Sequence, residues 1–225
     1  MTGVDLVIIG AGGHGSELQS YVGDLIAAGE RIRALGFLDD QKPRGTWGAT
    51  EVLGGVEALR MMSRASEGWA VRYITAIGDN AARERCVAAV DRLQLGNVMP
   101  WTLRHPGAMV GADVEIGQGT CLAPGSILTT RVRLGRHCIV NVNASVSHDS
   151  VIGDFVNLNP GSVICGGATI GTGCYIGAGA TVLDKVSIGD WTVIGAGAVV
   201  IRDLPPGVTA VGVPAHIIEH SVPSS

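Results

Sequence analysis

Every sixth residue from Val110 to Val200 is aliphatic, sixteen positions in all, with no insertion. They run Val110, Ile116, Leu122, Leu128, Leu134, Val140, Val146, Ile152, Leu158, Ile164, Ile170, Ile176, Val182, Ile188, Ile194 and Val200. Two residues before each stands a small or β-branched residue, such as Ala108, Thr120, Ser126, Cys138, Ser150 or Cys174. Glycine follows the aliphatic position at 111, 117, 135, 153, 171, 177, 189 and 195. This period predicts a parallel β-helix with six residues per side. The aliphatic side chain points inward and stacks on its equivalent one coil away. Only small residues fit two places earlier, at the tight corner, and glycine just after the strand gives the backbone freedom to bend. Three sides make eighteen residues per coil, so the sixteen hexads give five and one-third coils, about 4.8 Å apart. Composition agrees: 46% of the residues are hydrophobic but only 4% aromatic, so Val, Ile, Leu and Ala must fill a narrow, repetitive core. Cys138 and Cys174 fall on corner positions and read as small core hydrophobes.

Residues 1–100 have a different grammar. "VDLVIIG" reads as a buried parallel strand, followed by "GAGGHG" and a helical pattern through "SELQSYVGDLIAAG". A second strand, "RIRALGFLDD", ends at Asp39 and Asp40; a third, "AVRYITAIGDN", ends at Gly78, Asp79 and Asn80, before the helix "AARERCVAAVDRL". The expected fold is therefore a small Rossmann-like α/β domain with a parallel sheet (1–100), then a parallel β-helix of about five coils (101–212), then a C-terminal tail (213–225). Glycines at strand ends are where backbone N–H groups at a helix start hold phosphates. Gly10, Gly12 and Gly15 fit GxGxxG. The domain is too short for both dinucleotide halves, and nothing downstream resembles a hydride-transfer site. A nucleotide-diphosphate ligand suits it better than NAD; a tight turn with no ligand is the alternative.

Bulk properties narrow the partners. Lys plus Arg is 16 against 20 for Asp plus Glu, a net charge of −4, which disfavours nucleic acid. No run of 18 apolar residues suggests a membrane span. The opening "MTGVDLVIIGAGGHG" reads as a first strand and not as a signal peptide. Five cysteines, an odd number with no CxxC, suit a cytoplasmic chain with free thiols.

Inside the repeat, the stretch "NVNASVSHDSVIGDFVNLN" carries His148 beside Asp149. His148 lies two residues after the inward Val146, so it falls on a corner and projects outward. A solvated surface histidine is the bland alternative. An adjacent carboxylate, however, can fix the imidazole tautomer and raise its basicity. The equivalents of His148 one coil either side are Thr130 and Gly166. Gly166 leaves a side-chain-free space and a backbone N–H, which together suit a thioester: a base on one side, a donor for the developing oxyanion on the other.

The period resembles that of the hexapeptide-repeat acyltransferases, whose β-helix is left-handed and forms trimers. More specifically, "GAGGHG", "GFLDD", "VLGGVEAL" and "AIGDNAARE", followed by "RHPGAMVG", the coils and a closing "VGVPAHII", resemble the bacterial sialic acid O-acetyltransferases and bacillosamine or perosamine N-acetyltransferases. The resemblance spans about residues 4 to 218. It implies a nucleotide-linked sugar on the N-terminal domain, acetyl-CoA on a left-handed β-helix, and a cytoplasmic homotrimer with active sites between subunits, serving surface-polysaccharide synthesis. The family's Asn, six residues, then His and an acid is here Asn141 to His148–Asp149. By that likeness His148 is general base, Asp149 orients it, Gly166 N–H holds the thioester oxygen and Asn141 helps place substrate. Asn157, Gly166, Gly167, Ala178 and Ala196 would lie near CoA; Gly12, Gly13, His14, Asp39, Asp40, Gly78 and Asn80 near the sugar nucleotide. The chain departs from some members by carrying Asn157 where they have a second histidine.

The favoured acceptor is the amine of a nucleotide-linked 4-amino-4,6-dideoxy sugar, with O-acetylation as the alternative. Two further classes share the coil. Zinc carbonic anhydrases need three converging histidines, but the six here (14, 105, 137, 148, 216 and 220) have no HxxxxH pair, so no metal is expected. A non-catalytic trimeric scaffold would have no transfer activity to lose. The GxGTRM-type loop of sugar nucleotidyltransferases is absent from the N-terminal domain.

Overall fold

The structure, a computed structural model, describes residues 4–47, 50–66 and 70–220. It divides into two compact units, Met1–Pro106 and Gly107–Ser225.

The first unit is a six-stranded sheet with helices. Its strands are β1 (Val4–Ile9), β2 (Ile32–Leu38), β3 (Gly45–Trp47), β4 (Thr50–Val52), β5 (Val71–Thr75) and β6 (Val98–Pro100), in the order β3-β4-β2-β1-β5-β6. All pair in parallel except β3, which runs antiparallel to β4. The three expected strands are β1, β2 and β5. The last four residues of β1 are all buried, as a central parallel strand requires. Helix α1 (Gly13–Ala27) buries Gly15, Leu18, Tyr21, Val22 and Leu25, a single stripe at helical spacing. Helices α2 (Leu59–Ala65) and α3 (Asn80–Arg92) follow. Asp79 caps α3 by accepting from Ala82 N–H at 2.6 Å.

The second unit is the β-helix. Each of the sixteen aliphatic positions is the second residue of a two-residue strand, from Met109–Val110 to Val199–Val200. Strands eighteen residues apart pair in parallel, for example Val146 with Ile164 and Leu158 with Ile176. Three faces result. Within this unit the first begins at Met109–Val110, the second at Glu115–Ile116 and the third at Cys121–Leu122. The inward aliphatics from Leu122 onward are 4% exposed or less, while Val110 and Ile116 at the open end are half-buried. Burying one such side chain stabilises by about 1.5–3 kcal/mol, and the stack repeats that gain coil after coil. After the last hexad, Val208–Val211 extends the third face in parallel; within the expected tail, His216–His220 pairs antiparallel with it.

The corner chemistry is more specific than smallness. Thr120 Oγ1 donates to Gly135 O (2.9 Å), Cys138 Sγ to Gly153 O (3.1 Å), Ser150 Oγ to Cys165 O (3.1 Å) and Cys174 Sγ to Gly189 O (3.0 Å). Each side chain reaches the carbonyl fifteen residues on. A hydroxyl or thiol there therefore satisfies a carbonyl of the next coil while fitting the tight bend. Both cysteines are buried and reduced. Burial pushes the Cys174 thiol up to about 12, so it stays a neutral donor.

Candidate active site

His148 stands at the corner between the first and second faces, after Ser145–Val146 and before Val151–Ile152. Its side chain is 60% exposed. Its Nδ1 lies 2.7 Å from Asp149 Oδ2. Asp149 occupies the corner position itself, with φ at +62°. One coil earlier, Arg131 occupies the same corner position at φ +52° and holds both carboxylate oxygens, Nε on Oδ1 at 2.6 Å and Nη2 on Oδ2 at 3.0 Å. The hydrogen bonds from Arg131, and then from His148, hold the Asp149 carboxyl well below the usual carboxylate range. An ionised carboxylate can only accept, so Nδ1 carries the proton of that contact. That tautomer leaves Nε2 with its lone pair as the proton acceptor.

One coil later the corner is bare. A β-carbon at Gly166 would lie 2.6 Å from Cε1 and 2.7 Å from Nε2 of His148, so only glycine lets the ring rest there. The flanking amides belong to the coil ladder: Cys165 N–H donates to Val182 O and Gly167 N–H to His148 O. The Gly166 N–H donates to no group of the chain among the described residues. Gly167, at φ +69°, continues the corner without a side chain, and Lys185 follows it one coil further on.

Other expected residues lie elsewhere in the chain. Asn141 sits at the preceding corner, between the third and first faces, where its Oδ1 accepts from Val142 N–H at 2.7 Å. Ala178 and Ala196 share that corner and are exposed. The glycine after each, Gly179 and Gly197, has open space where a β-carbon would stand. Asn157 is on the third face, 4% exposed, and its amide is in the ladder. The fold thus gathers His148, Asp149, Gly166 and Gly167, and keeps Asn141, Asn157, Ala178 and Ala196 apart from them within one chain. The residue that sequence reading missed is Arg131. Its signal was its register, eighteen residues before Asp149.

In the first unit, the ends of β1, β2 and β5 meet. Gly10 N–H donates to Leu38 O, Ala76 N–H to Ile9 O, and Ala11 N–H to Asp39 Oδ2 at 2.9 Å. The three glycines of the fingerprint have separate reasons. Gly10 has φ +112° and no room for a β-carbon, which would stand 2.7 Å from Ala76 O. A β-carbon at Gly15 would stand 2.2 Å from Gly10 O, so glycine lets α1 pack on the strand end. Gly12 and Gly13 face open space, where a ligand can approach bare backbone at the start of α1.

Around them, Asp39 also accepts from Gln41 N–H (2.8 Å), and Asp40 accepts from Val56 N–H (3.0 Å). These two carboxylates therefore shape the loop. Asn80 is buried, 3.4 Å from Arg83 Nη2, and Gly78 has open space beside it. His14 Nδ1 meets Glu17 at 2.9 Å, while its Nε2 is sequestered with no hydrogen-bond partner among the described residues.

Among the described residues no three His, Cys, Asp or Glu side chains converge as a metal site, and no helix is long and apolar enough to cross a membrane.

Comparison with known proteins matches both halves of this arrangement. Residues 5–90 match the PglD N-terminal domain, and residues 149–184 and 167–202 match the bacterial transferase hexapeptide (six repeats). The chain is 36% identical over 118 residues to UDP-N-acetylbacillosamine N-acetyltransferase of Bacillus subtilis (strain 168). That stretch is 52% of this chain and 50% of that protein, so the match spans about half the length of the curated relative. Solved structures match over more of their length. The acetyltransferase domain of PglB from Neisseria gonorrhoeae FA1090 superposes with a TM-score of 0.83 at 31% identity, covering 95% of this chain and 99% of that one. A perosamine N-acetyltransferase from Caulobacter crescentus, in complex with CoA and GDP-perosamine, gives a TM-score of 0.84 at 33% identity, covering 97% and 98%. That structure is of a variant with one histidine replaced by asparagine.

Proposed function

The chain belongs to the PglD-type hexapeptide-repeat sugar N-acetyltransferases, and from that premise we propose that it transfers the acetyl group of acetyl-CoA to the amine of a nucleotide-linked 4-amino-4,6-dideoxy sugar. The observation that carries this reading is the corner at His148. An imidazole with its Nδ1 on an ionised carboxylate stands, exposed, against a glycine whose amide is uncommitted.

The chemistry follows from those groups. The acceptor nitrogen attacks the acetyl carbonyl carbon as His148 Nε2 takes one of its protons. The carbonyl oxygen gathers negative charge, which the Gly166 N–H stabilises. The C–S bond then breaks, and the imidazolium returns the proton to the leaving thiolate. A sugar amine is largely protonated near neutral pH, so His148 acts on the fraction that binds neutral. A base so placed contributes about 10²–10⁴-fold. In the first unit, the bare backbone at Gly12 and Gly13 and the buried Nε2 of His14 suit a diphosphate, with Asp39, Asp40, Gly78 and Asn80 around it.

The working unit in this reading is a homotrimer. The outward residues of the first face are Met109, Ile127, Ser145, Val163, Thr181 and Val199, with Met109 65% and Ile127 36% exposed. The second face instead presents Glu115, Arg133, Thr169 and Ser187 beside Val151. A further copy covering the first face brings its own corner, with Asn141, Ala178 and Ala196, toward the His148 corner. That accounts for residues one chain keeps apart. Acetyl-CoA lies in the cleft so formed, near Gly166 and Gly167.

The test is release of free thiol from acetyl-CoA with UDP-, GDP- and dTDP-linked amino sugars. Acceptor-dependent release with one of them, abolished in His148→Ala, is the expected result. Silence across the panel overturns the amine acceptor.

A further inference from the structure

Beyond the base and its carboxylate, the coil repeat brings a third charged group into line. Arg131, Asp149 and Gly167 hold the same corner position in three successive coils, all with left-handed backbone. Asp113, one coil before Arg131, has φ +56° in the same column, and Lys185 has φ +62° one coil beyond Gly167. The column reads acid, base, acid, blank, base. The planar fork of Arg131 engages Asp149 with two nitrogens, which fixes the carboxylate plane as a single contact could not. Oδ2, which takes Nη2 of Arg131 at 3.0 Å, is also the oxygen 2.7 Å from His148 Nδ1.

We propose that Arg131 is a positioning residue for acetyl transfer: by clamping Asp149 it keeps Oδ2 on His148 Nδ1, holds the imidazole in the tautomer with Nε2 unprotonated, and aims it past Gly166. The proposal rests on the reading of His148 as base.

The geometry favours this role over ordinary surface pairing. An exposed ion pair contributes little to stability, and this one is exposed on both sides, with side chains 57% and 46% accessible. Asp149, unlike a solvated surface acid, is shared with an imidazole. Left without the fork, it rotates freely about its side-chain bonds, and the His148 ring loses the acceptor that selects its tautomer. Lysine at 131 keeps the charge but offers one nitrogen and no plane. Asp113 faces Arg131 from the other side and counters part of its charge.

The experiment has two readouts, one of them independent of turnover. In ¹⁵N spectra of the histidine side chains, with His148→Ala assigning the resonance, the unliganded wild type is expected to show His148 chiefly in the Nδ1–H tautomer when neutral. Arg131→Ala is expected to shift it to a mixture. Kinetically, Arg131→Ala is expected to lower kcat about 10–100-fold, the range for removing an outer-shell partner, with KM for acetyl-CoA nearly unchanged. Arg131→Lys should recover only a small part of that loss. In an Asp149→Ala background, Arg131→Ala should cost nothing further. Thermal melting should be the same for all variants.

An unaltered tautomer in Arg131→Ala overturns the proposal, as does equal loss in the two backgrounds. A selective rise in KM for acetyl-CoA with kcat preserved also overturns it, by making Arg131 a donor-binding residue. If wild type transfers no acetyl group to any amino sugar, the function reading fails instead, while the tautomer measurement still decides the role of Arg131.

Discussion

Gly166 and the ring of His148 compete for one volume: a β-carbon on the first would approach the second to 2.6 Å. Gly166→Ala therefore pushes the imidazole aside. The ring is at the free end of an exposed side chain, so the coil itself tolerates the change. Displacing a catalytic group by about 1 Å costs on the order of 10²-fold. The expected result is a kcat reduced by about that factor, with a melting temperature within a few degrees of wild type; steady-state kinetics and thermal denaturation measure both.

The second and third glycines of the nucleotide fingerprint, Gly12 and Gly15, should separate binding from folding. Gly12→Ala adds a methyl to open space, so the first unit should stay folded. If a diphosphate approaches that backbone, KM for the sugar nucleotide rises about tenfold, equivalent to about 1.4 kcal/mol. Gly15→Ala places a methyl 2.2 Å from a backbone oxygen and should instead destabilise the unit, visible as early melting.

Cys174 makes the β-helix sensitive to alkali. Its thiol is held at about 12, above the ordinary value, because burial penalises the thiolate. The folded state thus holds that proton more tightly than the unfolded chain does. The stabilisation is intact below the free-cysteine value of about 8.5 and is lost as pH rises toward the folded value. Cys174→Ala removes this titration. Its stability should fall less steeply than wild type between pH of about 9 and 11, measured by urea denaturation at several pH values.

Leu158 is wholly buried and stacked between Val140 and Ile176 of adjacent coils. Leu158→Ala removes that contact from a stack with no slack to collapse. A loss of about 2–5 kcal/mol is expected by denaturant titration, with acetyl transfer retained below the transition.

The coil was legible from sequence because its rule is geometric. One aliphatic residue in six faces the axis, and all sixteen of those positions became strand residues. β1 was legible as a buried apolar run, and β2 and β5 by the buried stretches at their C-terminal ends, after Arg33 and Arg72. The β3–β4 hairpin was not, since "GTW" and "TEV" are too short and too polar to stand out. At the candidate site, His148, Asp149 and Gly166 were found by their spacing. Arg131 is not legible from its neighbours in sequence, because a coil makes neighbours of residues eighteen apart. Asn141, Ala178 and Ala196 stand one corner away from His148 in a single chain, with the first face between, so their part in the site depends on a neighbouring copy.

The left-handed corner that carries Asp149 lies in an uninterrupted hexad, tied to its neighbours by Asp149 N–H on Thr130 O and Gly167 N–H on His148 O. Such a corner offers no hinge. In the proposed reaction the backbone that carries His148 stays fixed, and most of the travelling is left to the two substrates. Selectivity then resides in which molecules can bring their reacting atoms to a fixed point.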